Sequence, residues 1–140
     1  TIEKQPYKLA ISLNATSQTQ RLITMPITKN QHFSKLLKVA KNYAYHSREK
    51  VTFEYVLLKG INDQTSDGRE LVKILNTTNC KLNIIPYNEI EGAYKRPNDD
   101  TINKFLGSLN NALFPVTIRW SKGQDIDAGC GQLATGLKNN

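Results

Sequence analysis

Cys130 stands between Gly129 and Gly131 in a polar, glycine-rich stretch, with no apolar strand or helix pattern around it. A core cysteine sits in an apolar element, as Cys80 does beside Leu82-Asn83-Ile84-Ile85. A cysteine among glycines is accessible and free to move, which suits a nucleophile that must meet two partners in turn. The pattern leaves a chemical role for Cys130 open beside that of an ordinary loop cysteine. The chain has 2 cysteines and no CxxC pair. That is too few for a disulfide scaffold, and a closed zinc or iron–sulfur site needs about four ligands. A reducing compartment, the cytoplasm, is the expectation. GxGxxG, P-loop, HExxH and GxSxG motifs are absent. His32 and His46 flank the first predicted helix and read as surface residues. Asp125 and Asp127 could form an acid–base pair but read more simply as loop-fixing residues. Trp120 reads as core rather than as a base-stacking platform.

The elements that must position these residues alternate strand and helix. Tyr7 to Leu13 reads as a buried strand ending in a polar turn, Asn14 to Gln20. Gln31 to His46 has Phe33, Leu36, Leu37, Ala40, Tyr43 and Ala44 at helical spacing. Val51 to Leu58 is rich in β-branched and aromatic residues and reads as a strand. A second helix is expected to begin at Asp67 with Glu70 in a capping box. Lys81 to Pro86 is the third strand. Asn98 caps a third helix running to Leu113, with Ile102, Phe105, Leu106 and Leu109 inward. Val116 to Ser121 is the fourth strand, and the glycine-rich end reads as a loop or tail. Strands separated by helices imply βαβ units and a parallel sheet. Four strands and three helices make a small open α/β domain or half of a (β/α) barrel. Either way the functional positions lie at the carboxyl ends of the strands. Those ends carry Ser12, Asn14, Asn62, Asp63, Asn88, Ser121 and Lys122, although polar residues there are also ordinary turn formers.

The chain has 140 residues, enough for one domain with a real core. Lys and Arg total 19 against 12 acidic residues, a net charge of +7. Such a balance favours polyanionic partners, because each neutralised phosphate releases counterions. No run approaches the roughly 18 apolar residues of a membrane helix, so no membrane partner is expected. The chain opens on Thr1 and enters an apolar strand within a few residues, as a piece of a longer protein would.

The segment Gly123 to Leu133, GQDIDAGCGQL, resembles the C-terminal signature of the RlmN/Cfr family of radical-SAM RNA methyltransferases. Leu9 to Ala15 (LAISLNA), Leu22 to Ile27 (LITMPI), Val51 to Asp63 (VTFEYVLLKGIND), Cys80 to Asn88 (CKLNIIPYN) and Val116 to Gly123 (VTIRWSKG) follow the family's order and spacing. The resemblance covers essentially the whole chain. It implies the C-terminal half of a partial (β/α) radical-SAM, TIM-like barrel. Residues 1–121 would form barrel and 122–140 a tail bearing the cysteine.

The resemblance further implies that Cys130 accepts a methyl group from S-adenosylmethionine (SAM). A second SAM, bound to a [4Fe-4S] cluster, would be cleaved to a radical that takes hydrogen from that methyl, and the carbon would then add to adenine. Ser12, Leu13 and Asn14 match a segment that contacts SAM, and Asn88 matches an asparagine that does so too. Asn14 stands where histidine is commonest, and Gly129 where alanine is. The cluster ligands, the GEP motif and a second catalytic cysteine belong outside this chain, which alone is expected to be inactive. Partners implied are 23S rRNA, tRNA and an electron donor, with a monomeric protein. Ile85-Pro86-Tyr87-Asn88 looks more like the RlmN type, which methylates carbon 2, than the Cfr type, which methylates carbon 8. A rival from another class is a non-catalytic basic RNA-binding α/β module.

Overall fold

The computed structural model describes residues 9–25, 32–88 and 94–120, and the backbone of 125–127. Five strands form one sheet in the order β1-β2-β3-β4-β5. They are β1 (Ala10–Ser12), β2 (Val51–Leu57), β3 (Cys80–Pro86), β4 (Val116–Arg119) and β5 (Asp125–Asp127). The first four are parallel, and β5 runs antiparallel to β4. The helices are α1 (Gln18–Thr24), α2 (Phe33–Ser47), α3 (Thr65–Leu75) and α4 (Asp99–Gly107). The α/β architecture with a parallel sheet agrees with the sequence pattern. No helix of the described residues is long and apolar enough to cross a membrane.

Alternation along the strands separates two faces. Val51, Phe53, Tyr55 and Leu57 of β2 are buried, as are Cys80, Leu82 and Ile84 of β3 and Val116 and Ile118 of β4. They join one core with Phe33, Ala40 and Ala44 of α2, Leu71, Val72 and Leu75 of α3, and Ile102, Phe105 and Leu106 of α4. The intervening residues Thr52, Glu54, Val56, Lys81, Asn83, Ile85 and Thr117 are only half-buried. A parallel sheet is ordinarily covered on both faces; among the described residues this second face is the less buried one, where a barrel would have its interior. The outer strand β1 is less buried than its apolar run suggests, with Ala10 and Ser12 exposed. Among the described residues it has one neighbouring strand, β2.

Several boundaries differ from the sequence reading. The stretch read as a turn from Asn14 to Gln20 holds the start of α1, capped by Ser17, whose Oγ accepts from Gln20 N at 3.1 Å. The second predicted helix starts earlier than Asp67. Gln64 takes the N-cap position, and Asp67 sits in the first turn and accepts from Gln64 N at 3.1 Å. Asn98 caps α4 as expected, accepting from Thr101 N at 2.8 Å, but the helix stops at Gly107. β5 forms within the segment expected to be loop. His32 and His46 are exposed, and Trp120 is half-buried against the core.

At Gly68, α3 lies against the C-terminal end of α4. A Cβ built there would lie 1.7 Å from Ser108 Oγ and 3.0 Å from Ser108 Cβ. Gly68→Ala gains helix propensity but forces the two helices apart. The expected net cost is about 1–2 kcal/mol, read as a lower urea midpoint with an unchanged slope.

Candidate functional site

The carboxyl ends of β1 and β2 are tied by a buried polar knot centred on Asn62. Its Oδ1 accepts from Leu58 N at 2.8 Å. Its Nδ2 donates to Val56 O at 2.8 Å and Asn14 O at 3.1 Å, and its own carbonyl accepts from Tyr55 Oη at 2.8 Å. Asn62 is fully buried, and these bonds offset its desolvation. Burial, with Asp67 and Asp63 nearby, holds the Tyr55 phenol protonated well above the usual range.

Asn14 belongs to the same knot. It adopts a left-handed backbone, φ 55°, a region asparagine tolerates better than most residues. Its Oδ1 accepts from Val56 N at 2.8 Å, and its Nδ2 lies 3.7 Å from Met25 Sδ. Its side chain thus extends the β2 ladder where β1 has ended. Ser12, two residues earlier, lies on the open face. Leu13 between them is fully buried in the core, so only its backbone faces other groups, with Leu13 N donating to Glu54 O at 2.8 Å. Asn88 is exposed two residues past the end of β3. Parallel pairing sets Ser12 level with Glu54 and Asn83, midway along β2 and β3, whereas Asn88 lies past the carboxyl end of β3. Cys130 lies outside the described residues.

Two features had no sequence signal strong enough to single them out. Arg21 of α1 is only 4% exposed, and its Nη2 donates to Ser12 O at 3.3 Å. Among the described residues its Nε and Nη1 are buried without a hydrogen-bond partner. Desolvation lowers its pKa, and a buried, incompletely paired guanidinium is costly. The second feature is a polar row crossing the open face. Ser12 is in register with Glu54, Glu54 with Asn83, and Asn83 with Thr117. Thr117 Oγ1 donates to Asn83 Oδ1 at 2.5 Å. The period-two alternation of polar residues in β2 was the available clue.

Cys80 is 1% exposed, with Sγ 3.7 Å from Leu75 O. Burial pushes its thiol up to about 12, against a smaller opposing influence of Lys50. With almost no thiolate near pH 8, Cys80 behaves as a small apolar side chain. In native buffer it is expected to resist alkylation and to react only after denaturation, which peptide mass spectrometry can follow. As pH rises from about 9 towards 12 the unfolded chain ionises this thiol before the folded chain does, so its contribution to stability falls across that window.

No family model matches the chain. It is 46% identical over 131 residues to the dual-specificity RNA methyltransferase RlmN of Desulfosudis oleivorans, an alignment covering 93% of this chain and 35% of that protein. It is 48% identical over 129 residues to the enzyme of the same name from Bdellovibrio bacteriovorus, covering 91% and 32%. Among solved structures, a radical SAM methyltransferase from Sphaerobacter thermophilus matches with a TM-score of 0.78 and 35% identity. That match covers 92% of this chain and 39% of the other. The chain thus spans about a third of the length of the curated relatives it matches.

Proposed function

From a chain that belongs to the RlmN family of RNA methyltransferases, we propose the C-terminal portion of a radical-SAM enzyme that methylates carbon 2 of adenine in 23S rRNA and tRNA. The observation that carries this is similarity at 40–48% identity across about nine-tenths of the chain, on a fold shared with a radical SAM methyltransferase. Residues 1–121 contribute barrel, and 122–140 carry Cys130 as the methyl carrier. The protein acts in the cytoplasm as a monomer, with an electron donor.

The donor chemistry of the open rim fits SAM. The Ser12 hydroxyl and the Asn88 amide are the side-chain groups that would hold it. Asn14 serves mainly by fixing the end of β1, and Leu13 by its backbone alone. Arg21 holds the Ser12 carbonyl from below. The cluster ligands come from the rest of the protein. When bound, cluster and SAM supply the one-electron chemistry needed to functionalise an electron-poor ring carbon. The basic surface, +7 in this chain, favours an RNA substrate.

The test is product analysis. The whole protein, with its cluster reconstituted, is incubated with SAM and a 23S rRNA fragment or tRNA, and nucleosides are separated after digestion. 2-Methyladenosine is expected. 8-Methyladenosine would place the chain with the Cfr type. RNA binding without any methylated nucleoside would favour a non-catalytic module.

A further inference from the structure

The polar row on the open face has a donor and acceptor order. The Glu54 carboxylate makes no side-chain hydrogen bond or ion pair among the described residues. Next to it, Asn83 has its Oδ1 engaged by Thr117. The amide's NH2 is therefore the half not turned to Thr117, and Asn83 is in register with Glu54. Adjacent strands stand about 4.8 Å apart, so two side chains in register can converge on a single planar edge. The face thus offers an acceptor beside a donor, both half-buried, at the level of Ser12.

Resting on the function proposed above, we propose that Glu54 and Asn83 read the amino edge of an adenine ring. Glu54 accepts from the exocyclic N6 amino group, and Asn83 Nδ2 donates to N1. Inosine and guanine present the inverse pattern, an O6 acceptor beside an N1–H donor, and meet like against like at both positions. Cytosine shares adenine's pattern, but the proposed reaction brings only adenine to this face. It does so from two sources, the base of SAM and the target base of the RNA.

The experiment separates these sources in the whole, cluster-loaded protein. One arm measures binding of SAM and of its analogue with hypoxanthine in place of adenine, by equilibrium dialysis. The other measures methyl transfer to RNA with adenosine at the target position, and competition by the same RNA with inosine there. Each arm is run on unmutated protein, Glu54→Ala and Asn83→Asp. The Asp side chain still accepts from Thr117 but cannot donate. The unmutated protein is expected to reject the hypoxanthine form by about 10-fold or more in one arm, since a site built to hydrogen-bond a group rejects analogues lacking it. Both substitutions should remove that preference.

If SAM's base is read, both variants lose about 10-fold in SAM affinity while the RNA KM stays constant. If the target base is read, SAM affinity is unchanged and kcat/KM for RNA falls by a similar factor. Because the analogue comparison uses unmutated protein, a variant that misfolds leaves it intact. An active protein that is indifferent to the base in both arms, and to both substitutions within about twofold, overturns the role of Glu54 and Asn83 alone. An unmutated protein with no SAM-dependent methylation overturns the function proposed above, and this assignment with it.

Discussion

Replacing Cys130 with alanine in the whole protein is expected to bring RNA methylation below about one-thousandth of the unmutated rate, because in the proposed reaction Cys130 is the covalent carrier and its removal leaves no alternative route of similar efficiency. SAM binding and the melting temperature should change little, since the sequence around Cys130 carries no apolar strand or helix pattern. The paired control is Cys80→Ala, which truncates a fully enclosed core side chain. It should cost roughly 1–2 kcal/mol of stability and leave methyl transfer largely intact. Methylation assays with thermal melts on both variants decide the matter. If Cys130→Ala remains active, or the methylated peptide contains Cys80, the carrier has been misassigned.

Asn62→Ala should have the largest effect on stability of any single polar substitution in the described residues. It would strip partners from Leu58 N, Val56 O and Asn14 O together, at a fully buried position. Leaving buried backbone groups unpaired costs about 1–3 kcal/mol each before relaxation, so a net loss of about 3 kcal/mol is expected. Asn62→Asp should rescue little, since it keeps the acceptor for Leu58 N but loses both donated bonds. Urea denaturation of the three proteins measures this. A loss below about 1 kcal/mol would show that the turn is held by other means. Because the same bonds fix Asn14, a partly folded variant should also bind SAM less tightly.

The strands β2, β3 and β4 are legible from sequence because β-branched and aromatic residues recur there between turn formers. The cap at Asn98 is legible because its side chain acts locally. α1 is not legible. Its residues, Gln-Thr-Gln-Arg-Leu-Ile-Thr, include two large apolar side chains, Leu22 and Ile23, and both stay exposed. No apolar period marks it, and the lone local signal is Ser17. It is held instead by distant partners, with Gln20 Nε2 donating to Ile61 O at 3.0 Å and to Asp67 Oδ1 at 3.1 Å. The start of α3 was misread because Asp67 is a plausible cap by type, while its carboxylate also serves Gln20 in space.

The candidate site divides the same way. Ser12, Asn14 and Asn88 were found through a family resemblance and through their place at strand ends. Arg21 was missed because burial of a charged side chain cannot be read from its neighbours in sequence. Glu54 and Asn83 read as ordinary strand residues, although strands buried on both faces carry near-continuous apolar runs and the polar alternation is a departure from that pattern.

The order of the sheet, β1-β2-β3-β4-β5, is also the order of synthesis. Each new strand docks beside the one made just before it, so no strand has to wait for a partner encoded further along. Loop closure spans α1 and α2 between β1 and β2, and one helix each between β2 and β3 and between β3 and β4, which keeps the entropy of each step small. As the chain emerges from the ribosome, its sheet can therefore grow by accretion at one edge. A ribosome-stalled chain whose residues through α4 have cleared the exit tunnel should already protect the amides of β2 from hydrogen exchange.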